Sequence, residues 1–392
     1  MEYEYVIVGA GMAADAAVRG IRRHDPKGRI LVIGDEPYPP YQRPPLSKKL
    51  WLDMRMEQVW LDGWKRRGAD LWLHTAVTRI EPQHRRLMTR TGSTVQYGEL
   101  LLATGVRPRR WDDAPDAVYY VGDVATHVRL FQALAEPRQV IVVGGGFIGS
   151  EMAAVLSTRG HQVTWVLPQA YPFEGFFPPV LADHVAAAYQ QHGVQLVVGS
   201  WVERVEENPG GGVRAHLKDG RDIRGDLVVA GLGSEFNDEL AKAAGLATGP
   251  GIVVDTWLKT AADHVWAAGD VAVMAPHHEP MWHEDHALTQ GRVAGENMAG
   301  AKKPYTHVPF FYSDLYDDGY EAIGRCETRY EVVEDWVVPG REGVVYYLDQ
   351  GRVVGVLNWN VWDGIPKARD IMAEEHPWEA RDLVGKIRNG AS

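Results

Sequence analysis

Cysteine is almost absent from this chain, with Cys326 the only one in 392 residues. That excludes an internal disulfide and a redox-active cysteine pair. Cys326 itself is expected to be a small structural residue, not a reactive one. No apolar run reaches the roughly 18 residues that a bilayer span needs, so no membrane span is expected. The N-terminus, MEYEYVIV, is acidic and enters a β-branched run at once. It lacks a basic n-region and a cleavage site, so no signal peptide is expected, and a cytoplasmic location is. Excess positive charge is missing too. Asp and Glu number 52 against 41 Lys and Arg, a net charge of −11. That balance disfavours nonspecific nucleic-acid binding. Length, with 45% hydrophobic and 24% charged residues, fits a globular chain of two or three domains.

What is plentiful is glycine, and two glycine-rich turns of one kind organise the rest. The first, VIVGAGMAADAA, places Gly9, Gly11 and Ala14; the second, VIVVGGGFIGSEMAA, places Gly144, Gly146 and Gly149. Each follows a β-branched run and opens a helical stretch, the context that turns a weak pattern into a dinucleotide site. The first glycine permits the bend, the second removes a Cβ from the path of a pyrophosphate, and the third position lets helix and strand pack. Free N–H groups and the positive dipole end then face the phosphates. An acidic residue about 20 positions on usually holds a ribose hydroxyl. After the first turn ILVIGDEP supplies Asp35; after the second VTWVLPQA supplies no carboxylate, and Gln169 stands nearest. No basic residue follows there either, which favours NAD over NADP.

Residues 4–34 and 139–170 each read as strand, helix, strand. Between them EPYPPYQRPPLSK, with five prolines, must be an extended loop. HVWAAGDVA reads as a strand stopped by Asp270, which is expected to cap a following helix, and ALTQGRVAGENMAG as a helix ended by Gly300. The last ninety or so residues alternate apolar and polar, with DQGR as a hairpin turn. His277, His278, His283 and His286 match no metal-ligand spacing, and no metal is expected.

PPYQRPPLSKKLW, GGGFIGSEMA, DHALTQGRVAGENMAG, FFYSDL, GYEAIG and LNWNVWDGIPKAR follow one family's pattern in order. Over nearly its whole length the chain resembles the pyridine-nucleotide flavoprotein reductases of the ferredoxin-reductase type. Within them it is most similar to the apoptosis-inducing-factor branch, in its bacterial-like form. The resemblance implies an α/β fold of two Rossmann-like dinucleotide-binding domains in the glutathione-reductase-like arrangement, plus a C-terminal α+β domain. Residues 1–112 and 240–303 would form the FAD domain, 113–239 the NAD(H) domain, and 304–392 the last.

It also implies site roles. Gly9, Gly11, Ala14, Asp35 and Val77 would hold FAD, with Arg43 and Arg109 as further flavin contacts and Asp270 on the ribityl chain. Arg43 brings a planar fork of donors suited to a pyrophosphate. His283 and Glu284 would lie at the pyrimidine end; the resembled branch has a histidine where Glu284 stands. Lys48 would sit beside flavin N5 and Glu151 would face the nicotinamide. A buried lysine needs a counter-charge, which Glu151 can supply. Gly146, Phe147, Ile148, Gly149, Gln169 and Gly233 would line NAD, with Glu321 and Asn360 on the nicotinamide side. Tyr312, a tryptophan in that branch, would touch the flavin there. NADH would pass a hydride to FAD. With one cysteine, electrons would leave the flavin directly for an iron–sulfur protein, a quinone or a dye-like acceptor. Arg66 and Arg67 in WKRRG would add to a docking patch for an acidic partner. The alternative is a slow, NADH-responsive interaction protein, with homodimer formation as its output. The short connection at 325–343 replaces a long insertion of the resembled branch and weakens that alternative.

Overall fold

The computed structural model describes residues 1–275 and 280–388. Backbone contacts divide the chain into two compact units. One comprises Met1–Pro44, Arg55–Arg107 and Ser234–His307; the other comprises Pro45–Met54, Pro108–Gly233 and the chain from Val308 on. His277 and His278, two of the four histidines considered above, lie outside the described residues.

In the first unit the run YVIV is buried on both faces, as a central parallel strand must be. Its sheet runs Asp70–Trp72, Ile30–Ile33, Glu2–Val8, Thr94–Leu102, Arg86–Thr89, Val77–Glu81, with Val265–Ala267 beside Leu100–Leu102. Val8 stands level with Ile33 and Leu102, so the first glycine turn emerges at the carboxyl edge of the parallel strands. Such an edge is where open α/β sheets bind ligands.

Two helices, Met12–His24 and Glu284–Met298, pack in this unit at a separation only glycine allows. A Cβ on Gly291 would lie 2.2 Å from the Ala13 carbonyl oxygen, and one on Gly295 would lie 2.1 Å from that of Ala17. From the other side, a Cβ on Gly20 would meet the Arg292 oxygen at 2.1 Å. The G-x-x-x-G spacing of GRVAGEN therefore faces Ala13 and Ala17 at the same spacing, one helical turn apart. Asp15, fully buried, joins the first helix to the next turn by accepting the Trp64 N–H at 2.7 Å.

The second unit repeats the plan. Gln195–Val198, Gln162–Leu167, Gln139–Val143, Leu227–Ala230 and Val118–Tyr119 form a parallel sheet in that order. The strands from Val202 to Gly225 form an antiparallel meander that turns at NPGGG. The C-terminal part is a five-stranded antiparallel sheet ordered Phe310–Leu315, Asp318–Gly324, Arg352–Trp359, Glu342–Asp349, Glu331–Val338. Its DQGR turn has Gln350 at φ 50° and Gly351 at φ 78°. Two successive positive φ values are what a tight two-residue hairpin loop requires. Cys326 is buried, its thiol directed at the Ile323 and Val356 carbonyls, and burial pushes that thiol up. Among the described residues no helix is long and apolar enough to cross a membrane.

One local expectation fails. No helix follows Asp270: the chain turns and enters the strand Ala272–Met274. The β-branched run VAV outweighs the capping tendency of an aspartate. The next helix starts at Glu284, with His283 as its N-cap residue.

Candidate functional site

Both glycine turns are built for a phosphate. Gly9 has φ 107°, and a Cβ there would lie 2.1 Å from the Ala103 oxygen; Gly144 has φ 108° and the same clearance from the Gly231 oxygen. The bend therefore tolerates glycine alone at either position. Gly11 and Gly146 have nothing within 4 Å of where a Cβ would stand. Each is the N-cap residue of its helix and offers no capping side chain, so the first N–H groups face outward. Ala14 is fully buried, and a Cβ on Gly149 would lie 2.0 Å from the Gly144 oxygen. The third position is thus a packing requirement in both turns.

The first unit carries the residues expected for FAD. Asp270 is the most informative. Its Oδ1 is buried without a hydrogen-bond partner, and burial pushes the carboxyl up to about 7 against the pull of Arg43. A buried carboxylate oxygen lacking a donor is costly, and a hydroxyl-bearing ligand such as a ribityl chain would satisfy it. Arg43 is ion-paired with Glu36 at 2.6 Å, and Tyr41 donates to the same carboxylate at 2.6 Å. Glu36, unnoticed in the sequence reading, therefore orients Arg43. Asp35 is exposed just beyond Ile30–Ile33, and Val77 is half-buried at the start of its strand. His283 and Glu284 begin the second uncapped helix. Behind them His286 contacts the Tyr305 hydroxyl at 2.9 Å and is pushed down to about 4 by burial. These features fit FAD.

Asp270 also gives the apoprotein a pH signature. Its folded value, about 7, lies above the model value of 3.8. Between those limits the folded chain binds the extra proton, so this contribution is full at low pH and is lost as pH rises. Relative to wild type, Asp270→Asn apoprotein is expected to gain about 1.4 kcal/mol per pH unit between pH 4.5 and 6.5. Urea unfolding across that range checks it; a constant difference would refute it.

The second unit holds the candidate chemistry. Lys48 Nζ is 3.0 Å from Glu151 Oε1, and the two side chains are 12% and 6% exposed. The lysine of SKKL is thus a buried ion-pair member, not a surface charge. Nζ also donates to the Tyr312 carbonyl at 2.9 Å and lies 4.8 Å from that residue's ring centre. Glu151 accepts from Ser47 Oγ at 2.5 Å and from Ser313 Oγ at 2.8 Å. The segment carrying Ser47 and Lys48 is anchored within this unit by Trp51, which is fully buried. The Trp51 indole donates to the Leu46 oxygen at 2.8 Å, and Arg159 donates to the Trp51 oxygen at 3.0 Å.

The other expected residues divide. Gln169 Oε1 is buried without a partner beside Gly145, a position that suits a ribose hydroxyl. Together with the second glycine turn it fits NAD. Phe147 and Ile148 are partly exposed at the helix start. Arg109, expected at the flavin, is exposed, and its backbone N–H bonds the Gly233 oxygen at 3.0 Å. Tyr312 and Glu321 are cross-strand neighbours, and Glu321 Oε2 is buried without a partner. Asn360 has a structural task instead: it accepts from the Gly319 N–H and donates to Asp318 and to the Arg341 oxygen, all at 2.7–2.8 Å. In the first unit Arg66 is answered by Asp62 at 2.7 Å and Arg67 donates to the Gly63 oxygen, which weakens the expected docking patch. Among the described residues no group of three or more His, Cys, Asp or Glu side chains is arranged to hold a metal.

Residues 3–291 match the pyridine nucleotide-disulphide oxidoreductase family, and residues 294–342 match a family described as apoptosis-inducing factor, mitochondrion-associated, C-term. The chain is 31% identical over 387 residues to the 3-phenylpropionate/cinnamic acid dioxygenase ferredoxin–NAD(+) reductase component of Photorhabdus laumondii, covering 94% of this chain and 96% of that one. It is 33% identical over 384 residues to the anthranilate 1,2-dioxygenase system ferredoxin–NAD(+) reductase component of Burkholderia cepacia, covering 94% of each. Among solved structures, a chain of the covalent putidaredoxin reductase–putidaredoxin complex matches with a TM-score of 0.90 at 28% identity, covering 97% of this chain and 95% of that chain.

Proposed function

The chain belongs to the pyridine nucleotide-disulphide oxidoreductase family, and from that premise we infer that it is an FAD-dependent NADH:acceptor oxidoreductase whose acceptor is a ferredoxin-type iron–sulfur protein. The observation that carries the reading is the pair of glycine turns, each opening an uncapped helix onto free space, on a chain whose one thiol is buried. Two dinucleotides then meet with no disulfide between them and the acceptor. FAD, when bound, supplies the redox chemistry, accepting a hydride and releasing electrons singly.

The chain's own residues supply position and charge. Gly9, Gly11, Ala14, Asp35, Arg43, Val77 and Asp270 hold FAD, with His283 and Glu284 at its ring. Gly146, Phe147, Ile148, Gly149, Gln169 and Gly233 hold NADH. Lys48 and Glu151 flank the reacting groups, with Tyr312 and Glu321 on the nicotinamide side. Arg109 and Asn360 stay in the assignment on resemblance alone. The domain division 1–112 with 240–303, 113–239 and 304–392 stands as a proposal on the same footing, as does a cytoplasmic location.

The test is anaerobic titration of the purified yellow protein. NADH is expected to bleach the flavin band at a concentration at least about tenfold below NADPH, since no cation stands beside Gln169 to meet a 2′-phosphate. Reduced protein should then pass electrons to a dioxygenase-type ferredoxin faster than free flavin does. Failure of either step refutes that half of the reading. The match at 294–342 supports a second reading, a redox-responsive interaction protein. Against it, the connection at 325–343 contains only the strand Glu331–Val338. Sedimentation with and without NADH decides, since this reading requires a change in mass.

A further inference from the structure

We propose that Ser47 and Ser313 are positioning residues for flavin reduction, a hydroxyl clamp that fixes how Glu151 presents itself to Lys48. The proposal rests on the reading above, in which Lys48 and Glu151 flank the reacting groups.

The argument starts from the carboxylate. Glu151 is 5% exposed and cannot turn to water for its hydrogen bonds. Left with Lys48 alone, a carboxylate and an ammonium at this distance are free to settle with both oxygens shared around the cation. The structure forbids that. Oε2 is occupied by Ser47 Oγ at 2.5 Å, and Oε1 takes Ser313 Oγ at 2.8 Å together with Lys48 Nζ at 3.0 Å. Each serine has a single proton to donate and spends it here. Both serines are 2% exposed, so bulk water does not compete.

The consequence falls on Lys48. Its ammonium has three donors. One goes to Glu151 Oε1 and one to the Tyr312 carbonyl, so the direction of the third is set by two fixed points. Charge placed in advance, with no reorganisation during reaction, is the form of electrostatic help that raises rate more than binding. Hydroxyls suit the task because they orient the carboxylate without adding charge to a pair that is already neutral. The clamp is also wholly tertiary: Ser47 lies on the turn Pro44–Ser47, Ser313 on the strand Phe310–Leu315 and Glu151 on the helix Phe147–Thr158.

The test uses the FAD-loaded full chain with Ser47→Ala, Ser313→Ala, the double variant, and Ser313→Thr. Three readouts are taken: the limiting rate of flavin bleaching after rapid mixing with NADH, the NADH concentration giving half that rate, and the midpoint potential of the bound flavin against a reference dye. The double alanine variant is expected to lose at least tenfold in limiting rate, with the half-saturating concentration unchanged within twofold and the potential moved lower. Ser313→Thr keeps the hydroxyl and should retain the rate within threefold. An unchanged rate and potential in the double variant would overturn the proposal. So would equal losses in the alanine and threonine variants accompanied by a common fall in melting temperature, the mark of packing alone. If the double variant does not fold, the single alanine variants are held to the same outcomes. The dye-measured potential needs no nicotinamide, so it judges the clamp even if wild-type protein proves unresponsive to NADH, the result that would sink the functional reading instead.

Discussion

Lys48→Met protein should still bind FAD, yet its flavin should be reduced by NADH about 100-fold more slowly than in wild type. The magnitude is that of losing one preorganised electrostatic group at a reacting centre. A second effect comes from what is left behind. Glu151 has its charge answered by Lys48 and its remaining bonds by two serines. Removing the ammonium strands a buried anion, which costs about 3–5 kcal/mol when a partner is deleted. Lys48→Met should therefore be less stable as well as slow. Lys48→Met with Glu151→Gln removes both charges and should recover most of the stability while staying slow. Denaturant midpoints and rapid-mixing rates for the four proteins of this cycle separate the two effects. Recovery of the rate in the double variant would show that Lys48 serves only to neutralise Glu151.

Gly291→Val is expected to abolish FAD retention and to destabilise the chain by more than about 3 kcal/mol, above the usual range for overpacking. The reason is that the obstruction is backbone. A Cβ at Gly291 would stand 2.2 Å from the Ala13 oxygen and 2.8 Å from the Ala13 carbonyl carbon, and no rotamer relieves that. Ala13 lies in the first turn of Met12–His24, the helix whose N-terminus faces the proposed pyrophosphate. Prising the helices apart would shift that N-terminus. Gly249→Ala serves as the control, because nothing lies within 4 Å of its missing Cβ. Urea unfolding and flavin content after gel filtration measure both effects. Wild-type flavin content in Gly291→Val would show that the helices separate without moving the turn.

What the sequence revealed of this architecture follows from how local each signal is. The glycine turns were legible because bend, phosphate approach and packing all act within six residues. So was the hairpin at Gln350 and Gly351, where two adjacent residues carry the whole turn. The helix pair was half legible: GRVAGEN was read as a helix, but the glycines announce a contact only once Ala13 and Ala17 are known to face them. The serine clamp had no usable signal, because its members lie 104 and 162 residues from Glu151 and serine is common. Asp270 was misread for a local reason. A polar residue ending an apolar strand resembles a helix cap, and only the strand that follows shows otherwise. The reading of Asn360 was pulled by its neighbours, whereas its amide is consumed in bracing a turn.

The burial of Cys326 has a practical outcome. Its thiol is enclosed and disfavours the ionised form that alkylating reagents attack. A cysteine introduced on the surface of either unit would be the one site a maleimide dye finds, with no need to delete a native thiol first. Paired fluorophores placed this way, one per unit, would report separations in solution as NADH is added, with negligible background labelling.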